Sequence, residues 1–129
     1  MSEKEYDMTK SKPSIPPEIQ AEVQKLIDEF NRKHFKKNDL VMRAFFGNKV
    51  KPGYSARFKG KYLYLDRNDH IKPSPICRLT WNGKMDDWGF AIYKYSRNYY
   101  DSEEWFFPGS GKIDGTVQGA MLAGMEAYN

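Results

Sequence analysis

The sequence predicts an α+β domain: an antiparallel sheet of four to five strands, packed by an N-terminal and a C-terminal helix. Three observations carry that prediction. Apolar residues recur at helical spacing only near the two ends of the chain. Between them the pattern shortens to strand-like runs rich in Tyr, Phe, Leu and Ile. Those runs are separated by glycine-containing pairs with the chemistry of tight turns. At 129 residues, 40% hydrophobic and 29% charged, the chain is long enough to bury one core without staples.

Residues 1–14 are polar, mixed in charge and aperiodic, which predicts a disordered tail and a single domain over 15–129. Pro16-Pro17 suits a first helical turn, where a missing amide hydrogen costs nothing. Ile19, Val23, Leu26, Ile27 and Phe30 then mark one face of a helix running to about His34. Glu18 and Glu22 near its start and Arg32 and Lys33 near its end complement the helix dipole. Strand-like runs follow at Leu40–Phe46, Tyr54–Phe58, Lys61–Arg67, Ile76–Trp81 and Trp88–Tyr95. Lys59-Gly60 and Asn82-Gly83-Lys84 supply the turns of two hairpins. An irregular stretch, Trp105 to Gly111, leads to Asp114, placed to cap a last helix over Gly115–Ala127. Val117, Ala120, Met121, Gly124, Met125 and Tyr128 share one of its faces, and Ala120 and Gly124 allow close approach to the sheet.

Strand alternation assigns the faces. With Phe58 opposite Lys61, Arg57 meets Tyr62 and Ser55 meets Tyr64, while Tyr54, Ala56, Leu63 and Leu65 turn inward. Cys77, Leu79, Trp81, Trp88, Phe90 and Ile92 also turn inward, leaving Ile76, Arg78, Thr80, Gly89, Ala91, Tyr93 and Tyr95 outward. The outward face then carries Arg57, Tyr62, Tyr64, Arg78 and Tyr93. Rings interleaved with guanidinium groups suit unpaired bases, since stacking contributes ~1–3 kcal/mol per base and cations meet phosphates. Two other readings stay open. Cross-strand Tyr–Arg pairs stabilise a sheet with no ligand, and a helix laid over this face makes it core. The same rings also suit a protein–protein or self-association surface.

Charge is unevenly spread. Residues 31–61 hold ten basic side chains and one acid, a local net of +9, while residues 101–129 hold one basic and five acidic, a net of −4. Lys36, Lys37, Lys49 and Lys51 in the basic block are candidates for salt-sensitive phosphate contacts. Solvated lysines and edge-strand protection account equally well for such a block. No basic amphipathic helix or lipidation signal points to a membrane, and no 18-residue apolar run is present. One cysteine, Cys77, rules out an intramolecular disulfide framework, and Met1–Asp7 lacks an apolar leader, so a cytoplasmic, bacterial-type protein is expected.

Catalytic patterns fail on inspection. Gly109-Ser110-Gly111-Lys112 has Phe106 and Ile113 where a phosphate loop needs Gly and Ser or Thr. Asp66, Asp69 and His70 lack a second well-spaced ligand group. Asp86-Asp87 reads as a turn pair, and His34 as a helix-end residue. Cys77 faces inward away from a base, and Ser110 has no elbow around it. Acid pairs drawn from Asp101, Glu103 and Glu104 need tertiary placement to be judged. No cofactor and no metal are expected.

The Arg57-Phe58-Lys59-Gly60-Lys61 hairpin, Pro75-Ile76-Cys77-Arg78-Leu79, and Trp88–Tyr93 running into Arg97-Asn98-Tyr99-Tyr100-Asp101 form a further pattern. Over residues 54–101 it resembles a family of small bacterial proteins known only as a domain of unknown function. The resemblance implies a compact helix-plus-sheet domain and transfers no catalytic residue. The expected function is a non-catalytic binding module for single-stranded or structured nucleic acid. The alternative is a homo- or hetero-oligomeric interaction domain using the same aromatic face or the Trp105-Phe106-Phe107 segment.

Overall fold

The computed structural model describes residues 14–35, 52–68 and 73–128. Among these, a helix, a five-stranded antiparallel sheet and a second helix follow in order. The Leu40–Phe46 strand expectation lies outside the described residues, as do Lys36, Lys37, Lys49 and Lys51.

Helix α1 (Pro17–His34) starts as expected, with Pro16 extended before it (φ −60°, ψ 149°) and Pro17 in its first turn. Val23, Ile27 and Phe30 are buried, and Ile19 packs against the same core. Asn31, farther along, ties the helix to the sheet. Its Nδ2 donates to the Tyr54 carbonyl at 2.9 Å, and the Tyr54 amide donates to its Oδ1 at 2.8 Å. A Cβ at Gly53 (φ +102°) would occupy the place of that amide group, so this backbone position suits glycine on two grounds.

The strands β1 (Gly53–Lys59), β2 (Tyr62–Asn68), β3 (Ser74–Thr80), β4 (Gly89–Lys94) and β5 (Tyr99–Asp101) form a meander in which each pairs only with its sequence neighbours. The first hairpin turns on Gly60-Lys61, not Lys59-Gly60, because Gly60 takes the positive φ (+59°) at the first central position. Lys59 therefore pairs with Tyr62, and Arg57 meets Tyr64 instead of Tyr62. The shift is two residues, so every side chain keeps its expected face.

Ile76 departs from expectation. Between Leu65↔Cys77 and Asp66↔Pro75 the register shifts, a β-bulge that leaves Ile76 unpaired and turns it inward, 1% exposed. Its Cγ2 lies 2.6 Å from where a Cβ of Gly124 would be, so bulge and glycine fit one another.

Helix α2 (Val117–Ala127) is capped by Thr116, correcting the expected Asp114 cap and Gly115 start. Thr116 Oγ1 accepts from the Gly119 amide at 3.0 Å, while Asp114 accepts from both the amide and the hydroxyl of Thr116. Those bonds hold the Asp114 carboxyl below its ordinary pKa. Val117, Ala120, Met121 and Gly124 are buried, the face read from the sequence. The Tyr54 hydroxyl donates to the Met121 carbonyl at 2.7 Å, and the buried Arg67 donates to the carbonyls of Gly124 and Tyr128. The end of α2, which carries no basic residue of its own, thus gains a cation, and its last carbonyls gain a further donor.

The core lies between the two helices and one face of the sheet, with Leu63, Leu65, Cys77, Leu79 and Ile92 at 0–2% exposure. Each such side chain contributes ~1.5–3 kcal/mol by leaving water. No described helix is long and apolar enough to cross a membrane.

Candidate functional site

The opposite face of the sheet carries the aromatic–cationic array. Alternation places Arg57 on β1, Tyr62 and Tyr64 on β2, Arg78 on β3 and Tyr93 on β4 on one side. Register makes them neighbours: Arg57 is opposite Tyr64, Tyr64 opposite Arg78, and Tyr93 opposite Tyr100. Both described helices pack on the other side, among Tyr54, Ile76 and the core strands. Of the alternatives open from sequence, a covering helix therefore finds no support among the described residues.

Tyr100 is the member the sequence reading missed. The chain turns through Tyr95–Asn98, with Asn98 in the left-handed region (φ +55°), and returns as the short edge strand β5. Arg97-Asn98 before Tyr99-Tyr100-Asp101 is a turn signal of ordinary kind; the strand after it, three residues long, is too short for alternation to declare itself. Its ring contacts two of the predicted residues, lying 5.3 Å from Tyr64 and 4.9 Å from Tyr93, tilted edge to face at 61° and 67°. Tyr62 and Tyr64 lie 6.1 Å apart, so four rings form a continuous row.

The two arginines have different roles. Arg57 grips Asp66 with a fork, Nε to Oδ2 at 2.6 Å and Nη2 to Oδ1 at 3.2 Å, and its guanidinium lies 4.8 Å from the Tyr64 ring centre. The Asp66 side chain is 8% exposed and the Arg57 side chain 57%, so the arginine supplies the charge a nearly buried carboxylate needs. The bond to Asp66 holds the guanidinium firmly protonated. Arg78 sits between two rings, 4.5 Å from the centre of Tyr62 and 5.5 Å from that of Tyr100. Its Nε is buried with no hydrogen-bond partner among the described residues. Lys61 Nζ lies 5.5 Å over the Tyr62 ring. Such contacts contribute ~0.5–1 kcal/mol at exposed sites and hold the rings upright. Burial, and then the charge of Asp66, raise the Tyr100 hydroxyl above its ordinary pKa.

Tyr95 stands apart from the row's centre. It follows β4, donates to the Pro75 carbonyl at 2.7 Å, and packs against Tyr93 at 4.9 Å and Tyr128 at 5.3 Å. The arrangement offers partly exposed π-faces with cations between them.

Cys77 is buried in the core, where burial pushes its thiol far up, while His34 is exposed and stacked on Phe30 at 4.1 Å. These two therefore do not form a Cys–His pair. Asp66 is committed to Arg57, and Asp69 and His70 lie outside the described residues. No group of His, Cys, Asp or Glu among the described residues is placed to hold a metal ion. Ser110 and Lys112 belong to a short 3₁₀ turn that follows Gly109 (φ +93°). No family model matches the chain, and no curated protein or solved structure matches it.

Proposed function

We propose that this chain is a non-catalytic binding module that holds single-stranded or structured nucleic acid on the outer face of its sheet. One observation carries the reading: Tyr62, Tyr64, Tyr93 and Tyr100 form an unbroken row, interleaved with Arg57 and Arg78, on a face that neither described helix covers. Rings of this kind stack on bases of any sequence, at ~1–3 kcal/mol per base. Arg78, held between two rings with no carboxylate bonded to it among the described residues, is the cation best placed for a phosphate or a base edge. The basic block, including Lys36, Lys37, Lys49 and Lys51, supplies long-range attraction. A lone buried thiol fits a reducing compartment, and we place the protein in the cytoplasm on that ground.

Fluorescence anisotropy with labelled single-stranded RNA, single-stranded DNA and duplex DNA tests the proposal at two salt concentrations. Saturable binding that prefers single strands and weakens steeply with salt is the expected result. Changing Tyr62 and Tyr64 together to Ala should weaken binding by about tenfold or more, as the loss of one to two stacking contacts requires. No binding at low salt, or unchanged affinity in the double variant, removes the reading.

A further inference from the structure

Phe106 is 94% exposed and Trp105 49%, in a chain whose other phenylalanines among the described residues are buried or half-buried. The segment that presents them is held at both ends. Glu104 accepts from Lys94 Nζ at 2.9 Å and from the Phe106 amide at 3.0 Å. Asp101 accepts from the Glu103 amide at 2.8 Å. On the far side Phe107 stacks on Phe90, ring centres 6.0 Å apart and 17° from parallel. A Cβ at Gly109 would strike the α2 backbone at Ala123, so the chain there is pressed against the helix. An aromatic ring fixed in water by the groups on either side of it is prepaid for docking, because little freedom remains to be lost.

A fitting acceptor exists on the same molecule. Where the C-terminal half of α1 meets the start of α2, an open groove of about 650 Å³ has a floor of Leu26, Phe30 and Leu122 and a rim that includes Arg32, Lys33 and Gln118. Glu29 on that rim is offset by Arg32 at 4.0 Å. The charges match: of the three acids in residues 101–106, Glu104 is paired with Lys94 and Asp101 and Glu103 remain, while the groove rim is net basic. Phe106 lies at the C-terminal end of α2 and the groove along its first half. Phe106 sits beside Ala127 and Tyr128, whereas the groove spans Leu122 to Gln118, about 8 to 13 Å away along the helix at 1.5 Å per residue. A copy of the chain therefore leaves its own groove empty of its own Phe106. A membrane surface fits poorly, since Asp101 and Glu103 repel anionic headgroups.

We infer that the Asp101–Phe106 segment is a plug that seats Phe106 in the α1–α2 groove of a second copy. The contact is heterologous, so it propagates head to tail or closes into a ring. It does not rest on the nucleic-acid reading, because Phe106 and the groove both lie on the helix side of the sheet, opposite the tyrosine row.

Sedimentation velocity of the full chain from about 10 μM to 1 mM is the test. The wild type should gain mass with concentration and pass beyond the dimer. Phe106→Ser removes the plug, and Lys33→Glu with Gln118→Glu repels it from the groove; both sets of positions are exposed, so the fold should persist by circular dichroism. Each variant alone should associate about tenfold or more weakly. Mixed in equal amounts they should form one-to-one dimers that grow no further, since one copy keeps a sound groove and the other a sound plug. A wild type that stays monomeric throughout, wild-type association by either variant, or a mixture no heavier than its parts overturns the inference. Single-stranded RNA binding should be unchanged in Phe106→Ser, which separates this contact from the sheet face.

Discussion

The two faces of the sheet come from the same strands and the same alternation, yet they are stabilised by different physics. On the inner face Leu63, Leu65, Leu79 and Ile92 are covered by both helices, and position is specified by close fit. Gly124 shows how close, since any side chain there would run into the Tyr54 hydroxyl and Ile76. On the outer face rings and guanidinium groups lean on one another in partial contact with water, with Asp66 and Ala91 nearly buried among them. The inner face excludes solvent and is almost wholly apolar, the Trp88 indole N–H being a buried donor with no partner among the described residues. The outer face keeps π-surfaces and cations available, which is what a binding surface needs and a core does not.

That contrast can be broken by mutation, and the largest effect is expected inside. Leu65→Ala should lower unfolding free energy by ~2–5 kcal/mol in urea titrations, the usual loss for a cavity in a closed core. Tyr62→Ala on the outer face should cost under ~1 kcal/mol, the scale of a cross-strand pair. If the tyrosine change is the more damaging of the two, the outer face is structural and its reading as a platform fails. Next in size is Arg57→Ala, which strands the Asp66 carboxylate and should cost ~1–3 kcal/mol. Adding Asp66→Asn should return part of that loss, which a double-variant cycle measures.

Smaller effects sharpen the comparison at the periphery. Thr116→Ala removes the acceptor for the Gly119 amide and should cost ~1 kcal/mol by thermal unfolding. The smallest effect expected is on the Phe106 segment. Hydrogen bonds from Lys94 and the Phe106 amide hold the Glu104 carboxyl below its ordinary value of 4.5. A depressed carboxyl favours the folded arrangement above its ordinary value, and that contribution fades as pH falls through the lowered one. The Phe106 amide resonance should thus shift with the Glu104 titration below pH 4.5, and Lys94→Met should move the midpoint upward. A midpoint that ignores Lys94 would place the anchor elsewhere.

Much of this was legible in order and pattern. Periodicity located both helices, and alternation put Arg57, Tyr62, Tyr64, Arg78 and Tyr93 on one face even though the hairpin turned one residue later than read. Parity survives an even shift in register. It does not survive a bulge, which is why Ile76 was assigned to the wrong side. A bulge answers to a partner, here Gly124 of α2, that lies 48 positions away in the chain. The cap moved from Asp114 to Thr116 for a local reason: both residues can accept, and the backbone bend at Gly115 (φ +89°) decides which one reaches the free amide.

What the amino-acid order determined by itself is therefore whatever depends on local period and turn chemistry: the class of fold, the helical faces, the inward and outward sets on each strand. These follow from bond geometry that every residue shares with its neighbours. Tertiary structure alone decided what depends on meeting distant residues. It brought Tyr100 beside Tyr64 and Tyr93, joined Arg57 to Asp66, sent Arg67 to the end of α2, and left Phe106 in water. Such contacts are set by strand register and by packing over the whole domain, neither of which local period and turn chemistry specify.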